Sequence, residues 1–172
     1  MYRLIWLSVL TLAACGTEID QRPRTVEYIT EAVLAPNCGN AQCHSSFRNV
    51  KGYAFDTVER SQQSLVGGLV GVIDLNAKDE PQGDHTSSFL VNVLTRAVDR
   101  MPYDQGLPEP DLDLINRWID FGAPGAQCDP GVNGGMVCVG TKSVECLPSF
   151  DYGAVVADCA ATGKSCSTGV CR

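Results

Sequence analysis

Three stretches of the chain repeat apolar residues at the spacing of an amphipathic helix. The first follows Thr25, a helix-capping residue type, and ends at Pro36. The second covers residues 87–98, and the third is closed by Gly122 and Pro124. Their apolar positions are Val26, Ile29, Val33 and Leu34; Phe89, Leu90, Val93 and Leu94; and Leu112, Ile115, Trp118 and Ile119. A further short helix is predicted over 56–65. We therefore expect residues 25–126 to form a helical domain.

The last part of the chain, residues 127–172, has a different pattern. Residues 136–146 alternate around Gly140-Thr141-Lys142 as in a β-hairpin, and 163–171 predicts another. Six cysteines lie here: Cys128, Cys138, Cys146, Cys159, Cys166 and Cys171. An even number of cysteines in a segment too small for a core of its own predicts a disulfide framework, with fifteen possible pairings. We therefore expect a mainly α protein that ends in a small disulfide-rich β module.

The first fifteen residues predict export and lipid anchoring. Arg3 precedes the apolar run 4–12, which is too short to span a bilayer. Leu12-Ala13-Ala14-Cys15 is typical of a bacterial lipoprotein signal, cleaved so that Cys15 becomes a lipidated N-terminus. The predicted divisions are a signal peptide at 1–14, a tether at 15–24, the helical domain and the β module. Gly16 favours an outer-membrane location in the cell envelope.

Charge narrows the classes of partner. The chain carries a formal net charge of −7, and loss of Arg3 with the signal peptide would make it −8. An acidic surface argues against nucleic acid as a partner. Within the sequence there is no glycine-rich phosphate loop, no Ser/His/Asp set and no pair of catalytic carboxylates, so we expect a protein that is not an enzyme.

The most informative motif is Cys38-Gly-Asn-Ala-Gln-Cys43-His44. Two cysteines followed at once by histidine are what covalent haem c attachment requires, because the thiols add to the haem vinyl groups and the imidazole binds the iron. The usual motif has two residues between the cysteines, whereas this one has four. On a regular helix the two side chains would point about 140° apart. We therefore expect Gly39 and Asn40 to form a loop, through positive φ, before Cys43 and His44 begin a helix.

Other interpretations of the motif stay open at the level of the residues. Cys38 and Cys43 could instead form a disulfide with each other. Like haem attachment, this would leave six cysteines to pair in the C-terminal segment, so the number of cysteines does not distinguish the two. A zinc site is a weaker alternative, because His85 is the only other histidine and further ligands are missing.

Met101 offers a second ligand for a haem iron. It lies in Arg100-Met101-Pro102, in a loop whose prolines and glycine prevent a regular helix. His85, at the start of the second helix, and Met136, in the cysteine-rich segment, are the competing candidates for the same axial position. We expect Met101 to be the ligand and His85 to face solvent.

Residues 27–125 resemble a single-haem domain of the cytochrome c family. The resemblance rests on Val33-Leu34-Ala35-Pro36 before the motif, Phe89-Leu90-Val91, Met101-Pro102 and the helix that ends in Trp-Ile-Asp-Phe-Gly-Ala. The segment is similar to lipoprotein-borne forms in which the Cys-x4-Cys-His variant recurs. The resemblance implies a cytochrome c-like helical fold, thioether bonds at Cys38 and Cys43, and an iron held by His44 and Met101.

The function implied is electron transfer by a membrane-anchored, extracytoplasmic protein with covalent haem c. Ligation by histidine and methionine raises the potential of the iron and fills both of its axial positions. The partners would be an unidentified redox protein and, through Cys15, the membrane. The alternatives are a haem-free surface binding or adhesion lipoprotein on the same scaffold, and a haem peroxidase, which would need an open distal site.

Overall fold

The computed structural model describes residues 20–66, 69–71, 73–74 and 82–172. The predicted signal peptide, Cys15 and the first part of the predicted tether lie outside these residues. In the described ranges, no helix combines the length and the apolar character needed to cross a membrane.

The first helical segment begins where the sequence predicts. The Thr25 hydroxyl accepts a hydrogen bond from the Tyr28 N–H (3.3 Å) and caps helix α1 (Val26–Ile29). The chain continues as a π-helix over Thr30–Leu34 and ends in α2 (Ala35–Asn37). Pro36 cannot donate a backbone hydrogen bond, and the wider π turn directly precedes this break in the ladder. This helical segment ends directly before Cys38, which is the C-terminal cap of α2.

Three more helices complete the helical part. They are α3 (Val58–Leu65), α4 (Phe89–Thr95) and α5 (Glu109–Asp120). Thr57 and Ser88 cap α3 and α4 through their hydroxyl groups. Helix α4 is shorter than predicted because Arg96 already has extended backbone angles (ψ 150°). Single 3₁₀ turns lie at Val50–Gly52, His85–Ser87 and Ala160–Thr162.

The strands lie mostly near the C-terminus. Strands β1 (Ile73–Asp74) and β2 (Gln82–Gly83) form a short antiparallel pair. Strands β3 (Met136–Val139), β4 (Lys142–Cys146) and β5 (Tyr152–Asp158) form an antiparallel sheet in the order β3-β4-β5. Strands β6 (Cys166–Ser167) and β7 (Val170–Cys171) form a last hairpin. Both predicted C-terminal hairpins are thereby confirmed, whereas β5 was not predicted.

One hydrophobic core joins the helices. Its largest completely buried side chains are Trp118, Ile29, Leu34, Leu65, Leu114, Ile115 and Ile119. Trp118 belongs to the same cluster as the first helix, and its indole N–H donates to the Pro124 carbonyl oxygen (3.1 Å). The polar atom of this large side chain is thus satisfied without contact with solvent.

Three disulfides cross-link the C-terminal segment. They join Cys128 to Cys146, Cys138 to Cys166 and Cys159 to Cys171. The prediction that these six cysteines pair among themselves is confirmed. The segment also contacts the helical part, because the Gln127 amide donates to the Gly122 carbonyl oxygen (2.7 Å) and accepts from the Tyr152 N–H (2.8 Å). Tyr152 packs against the hydrophobic core.

The prediction of a mainly α protein is wrong. Only 34% of the structure is helical, and 15% is strand. The helices are short because loops rich in proline, glycine and aspartate separate them, and the C-terminal segment consists of antiparallel strands and turns. The protein is therefore mixed in class, with helices around one core and a disulfide-linked sheet beside them.

Candidate functional site

A cavity of about 570 Å³ lies between two segments that are distant in the sequence. Its lining comes from the segment over residues 36–44, from Val50 and from the loop over residues 101–108. All four residues predicted to hold a haem line it, namely Cys38, Cys43, His44 and Met101. The volume lies within the range of about 300–1,000 Å³ that is usual for ligand and cofactor sites.

Backbone hydrogen bonds close the four-residue insertion between the cysteines. The Cys43 N–H donates to the Asn40 carbonyl oxygen, and the His44 N–H returns to the Cys38 carbonyl oxygen (both 3.0 Å). The expected positive φ at Gly39 and Asn40 is wrong, and so is a helix starting at Cys43. Gly39 is needed for space instead, because a Cβ there would lie 2.9 Å from backbone atoms of Ala35 and Phe55.

The His44 imidazole is oriented by two backbone carbonyl groups. Its Nδ1 lies 3.1 Å from the Val50 oxygen and 3.3 Å from the Tyr53 oxygen. Both partners can only accept, so Nδ1 carries the proton and Nε2 keeps a lone pair for a metal. Asn49 and Lys51, on either side of Val50, have left-handed backbone conformations with φ of 47° and 58°. The Val50 carbonyl group therefore lies within a tight turn. The arrangement suits an axial haem ligand.

A carboxylate holds the chain just after His44. Asp56 accepts from the Ser46 N–H (2.7 Å) and from the Ser46 hydroxyl (2.9 Å). These hydrogen bonds, with a smaller contribution from the positive charge of Arg60, lower the pKa of Asp56 below its usual value. The two hydrogen bonds between Ser46 and Asp56 connect the loop that follows His44 to the residues just before α3.

Both cysteines of the motif are free thiols in the structure. Burial, with a smaller effect of Cys43, raises the pKa of Cys38 to about 11, so this thiol is neutral at physiological pH. Addition of a neutral S–H group to a vinyl group gives an uncharged thioether, which suits a buried position.

Met101 reaches the cavity from a loop that is attached at both ends. The Met101 N–H donates to the Val93 carbonyl oxygen in α4 (2.8 Å), and Leu107 is buried in the core. The Arg100 side chain lies against Gly106, which lines the cavity. The loop thus brings Met101 to the lining of the cavity that also contains His44.

The two competing axial candidates lie elsewhere. His85 Nδ1 is 2.8 Å and 2.9 Å from the two carboxylate oxygens of Asp120 at the end of α5. His85 lines a second cavity that also includes Glu109 and Arg117, and not the cavity of the cysteines. Met136 lies in β3 and lines a third cavity beside Tyr152.

A charge network near the chain's N-terminus was missed by the sequence reasoning. Asp20 accepts hydrogen bonds from Arg22 and Arg117, and Arg22 also donates to Asp111. The sequence predicts residues 20–24 only as part of a polar tether. Four charges spread over 98 residues of sequence carry no periodic signal, so only the fold could reveal that they meet.

The chemistry of the first cavity suits a cofactor better than a bare ion. Within the described ranges, no three His, Cys, Asp or Glu side chains converge in a way that could hold a metal ion. A haem iron needs only two axial donors from the protein, because the porphyrin supplies the others. The residues present fit that requirement.

No protein-family model, curated protein or solved structure matches this chain.

Proposed function

We propose that this protein is an extracytoplasmic c-type haem protein that transfers electrons and is held at the membrane by lipid on Cys15. One observation carries the proposal. Cys38, Cys43 and His44 meet Met101 in a single cavity although Met101 lies on a separate loop. When bound, haem supplies a one-electron couple between ferric and ferrous iron.

The roles of the residues follow from their positions. Cys38 and Cys43 would bind the porphyrin edge as thioethers, and His44 would donate its Nε2 lone pair. Hydrogen bonds from Nδ1 to the Val50 and Tyr53 carbonyl groups hold the ring orientation and increase its basicity. Met101 would supply the second protein ligand of the iron. With two protein ligands the iron would have no free site for a substrate, which favours an electron carrier over an enzyme.

The edge of the cavity is accessible to another protein. Tyr103 lines the cavity and is 73% exposed. A redox protein must bring its cofactor close to that of its partner, and an opening at the surface permits this approach. The exposed Tyr103, two residues after Met101, would lie in such a contact.

The decisive test is covalent haem in the protein matured with a haem-attachment system. We expect a haem-staining band after denaturing electrophoresis and a pyridine haemochrome typical of two thioethers. Cys38→Ala and Cys43→Ala should each leave one vinyl group conjugated with the porphyrin and move the absorption maximum to longer wavelength. The double variant should lose covalent haem. Wild-type protein without covalent haem would refute the proposal and favour the haem-free binding lipoprotein.

Removing the Asp56 carboxylate is expected to make haem ligation more sensitive to acid. The folded protein favours the ionised form of Asp56, so its stabilising effect is full above the unfolded-state pKa and is lost as pH falls through the lower folded-state pKa. Asp56→Ala lacks this contribution at every pH. Its acid transition, followed as the loss of the low-spin spectrum, should therefore begin at higher pH than in the wild type.

Glu59→Ala is the matched control for Asp56→Ala. Glu59 is an exposed carboxylate three residues away, and the same charge is lost in both variants. If both variants shift the acid transition equally, net charge rather than the bonds to Ser46 explains the effect.

A further inference from the structure

The N-terminal strap, defined here as residues 20–24, lies along helix α5 instead of extending away from the protein. The Asp20 carboxylate accepts from the Arg22 side chain (2.9–3.1 Å) and from the Arg117 guanidinium. Arg22 also donates to the Asp111 carboxylate and to the Pro110 carbonyl oxygen in the first turn of α5. The strap therefore contacts the first and the last turn of this helix.

A third contact lies at the end of the same helix. The Arg24 guanidinium carbon is 4.7 Å from the centre of the Phe121 ring, directly after the last residue of α5. Such a cation over an aromatic face is attractive. The side chains of Asp20, Arg22 and Asp111 are 22–27% exposed, so their charges are partly shielded from salt and water.

The strap lies very close to the predicted lipid-attachment site. Cys15 precedes Asp20 by five residues, which span at most about 18 Å when fully extended. A strap bound along α5 thus leaves little free chain between the lipid and the folded protein. Pro108, which lines the cavity of the cysteines, comes immediately before α5. The position of the strap therefore also constrains where the cavity lies relative to the lipid.

We propose that the strap fixes the orientation of the protein on the membrane, with α5 held on the side that faces the lipid surface. The inference rests on the lipidation of Cys15 in the proposed function. The occupant of this face is the bilayer that carries the lipid of the same chain. Glu109 and Asp113 at the start of α5 are exposed and would repel anionic headgroups, so orientation depends on the strap and not on adhesion of the helix to lipid.

Orientation can be measured on the full, lipidated and haem-loaded chain in stacked bilayers of phosphatidylethanolamine and phosphatidylglycerol. The electron paramagnetic resonance signal of ferric low-spin haem should vary with the angle between the bilayers and the field. Arg22→Gln combined with Arg117→Gln should abolish this angular dependence, while Arg60→Gln, which changes a cation on α3, should preserve it. A wild-type signal without angular dependence, or a double variant with unchanged dependence, would refute the inference.

Trypsin gives a second measurement that needs no haem. Cleavage after Arg24 would release the protein from vesicles of the same lipids as a fragment that begins at Thr25. The double variant should be cleaved roughly tenfold faster than wild type, because proteolysis follows the population of the opened segment. Equal rates would overturn the strap whether or not haem is bound. Absent haem or absent acyl groups, by contrast, would be seen by absorption and mass spectrometry and would count against the proposed function.

Discussion

In the proposed haem-loaded protein, Met101→Ala is expected to convert a six-coordinate, low-spin iron into one with an open coordination site. Met101 is the thioether that the loop over residues 101–108 brings to the cavity, and alanine offers no donor atom. The variant should bind cyanide, imidazole and, when reduced, carbon monoxide, all of which the parent should bind poorly. It should also gain weak peroxidase activity. Absorption spectra and ligand titrations of the purified protein measure these changes.

Met101→His tests the same position without opening it. A thioether is a soft, neutral ligand that favours ferrous iron, whereas imidazole favours ferric iron more strongly. The reduction potential should therefore fall by roughly 0.1–0.3 V, within the span of about 0.8 V that axial ligands cover. The spectrum should remain low-spin. A redox titration measures the potential.

His85→Ala is the control for both Met101 variants. The His85 imidazole is bound to the Asp120 carboxylate and lies outside the cavity of the cysteines. Its removal should change neither the spectrum nor the potential. If His85→Ala abolishes the low-spin spectrum while Met101→Ala leaves it unchanged, the assignment of the distal ligand is wrong, although the covalent haem would remain.

The helices could be predicted because their signals are local. Thr25 and Ser88 are capping residues next to periodic apolar positions, and both act as caps in the structure. The fold class could not be predicted in the same way. Helix α4 stops after Thr95, and the unpredicted β5 pairs with β4 through contacts that its own sequence does not indicate. Short helices between long loops therefore led to an overestimate of helix content.

The candidate site, like the fold, could be predicted only in part from the sequence. The sequence named Cys38, Cys43, His44 and Met101, and the fold brings them to one cavity, although haem binding stays a prediction. The carbonyl groups that orient His44 could not be foreseen, because any residue type supplies a backbone carbonyl group. The sequence predicts conformational freedom as the role of Gly39, whereas the structure shows a close approach of the chain to Phe55 at this position. Spacing alone does not distinguish these two uses of glycine.

The pairing of the C-terminal cysteines also depended on the fold. Cys138 in β3 bonds to Cys166 in β6, and Cys159 follows β5 and bonds to Cys171 in β7. The first bond connects the two hairpins that the sequence predicts separately, and the second connects the end of the unpredicted β5 to the last hairpin. The relative position of two hairpins is a tertiary property, so none of the fifteen pairings could be preferred in advance.

Reduction of the three disulfides is expected to unfold residues 127–172. Few side chains are fully buried there, chiefly Val144 and the disulfide-bonded Cys159, so little apolar area holds the strands together. Each native disulfide in such a small unit contributes about 2–5 kcal/mol. Alkylation without reduction should label none of the six cysteines, and alkylation after reduction should label all six. Stable free thiols under oxidising conditions would contradict the structure.

The helical part should survive that reduction with a lower stability. Its core cluster lies within residues 26–126, and the C-terminal segment adds to it mainly the half-buried Tyr152 and the hydrogen bonds of Gln127. The low-spin haem spectrum should therefore persist after reduction, while the midpoint of urea unfolding followed by that spectrum should fall. Tyr152→Ala in the oxidised protein should reproduce part of this fall, because it removes the same packing without breaking a disulfide. Val156→Ala, at an exposed position on the same strand, is the matched control and should leave the midpoint unchanged. Loss of the haem spectrum on reduction would show instead that the two parts fold as one cooperative unit.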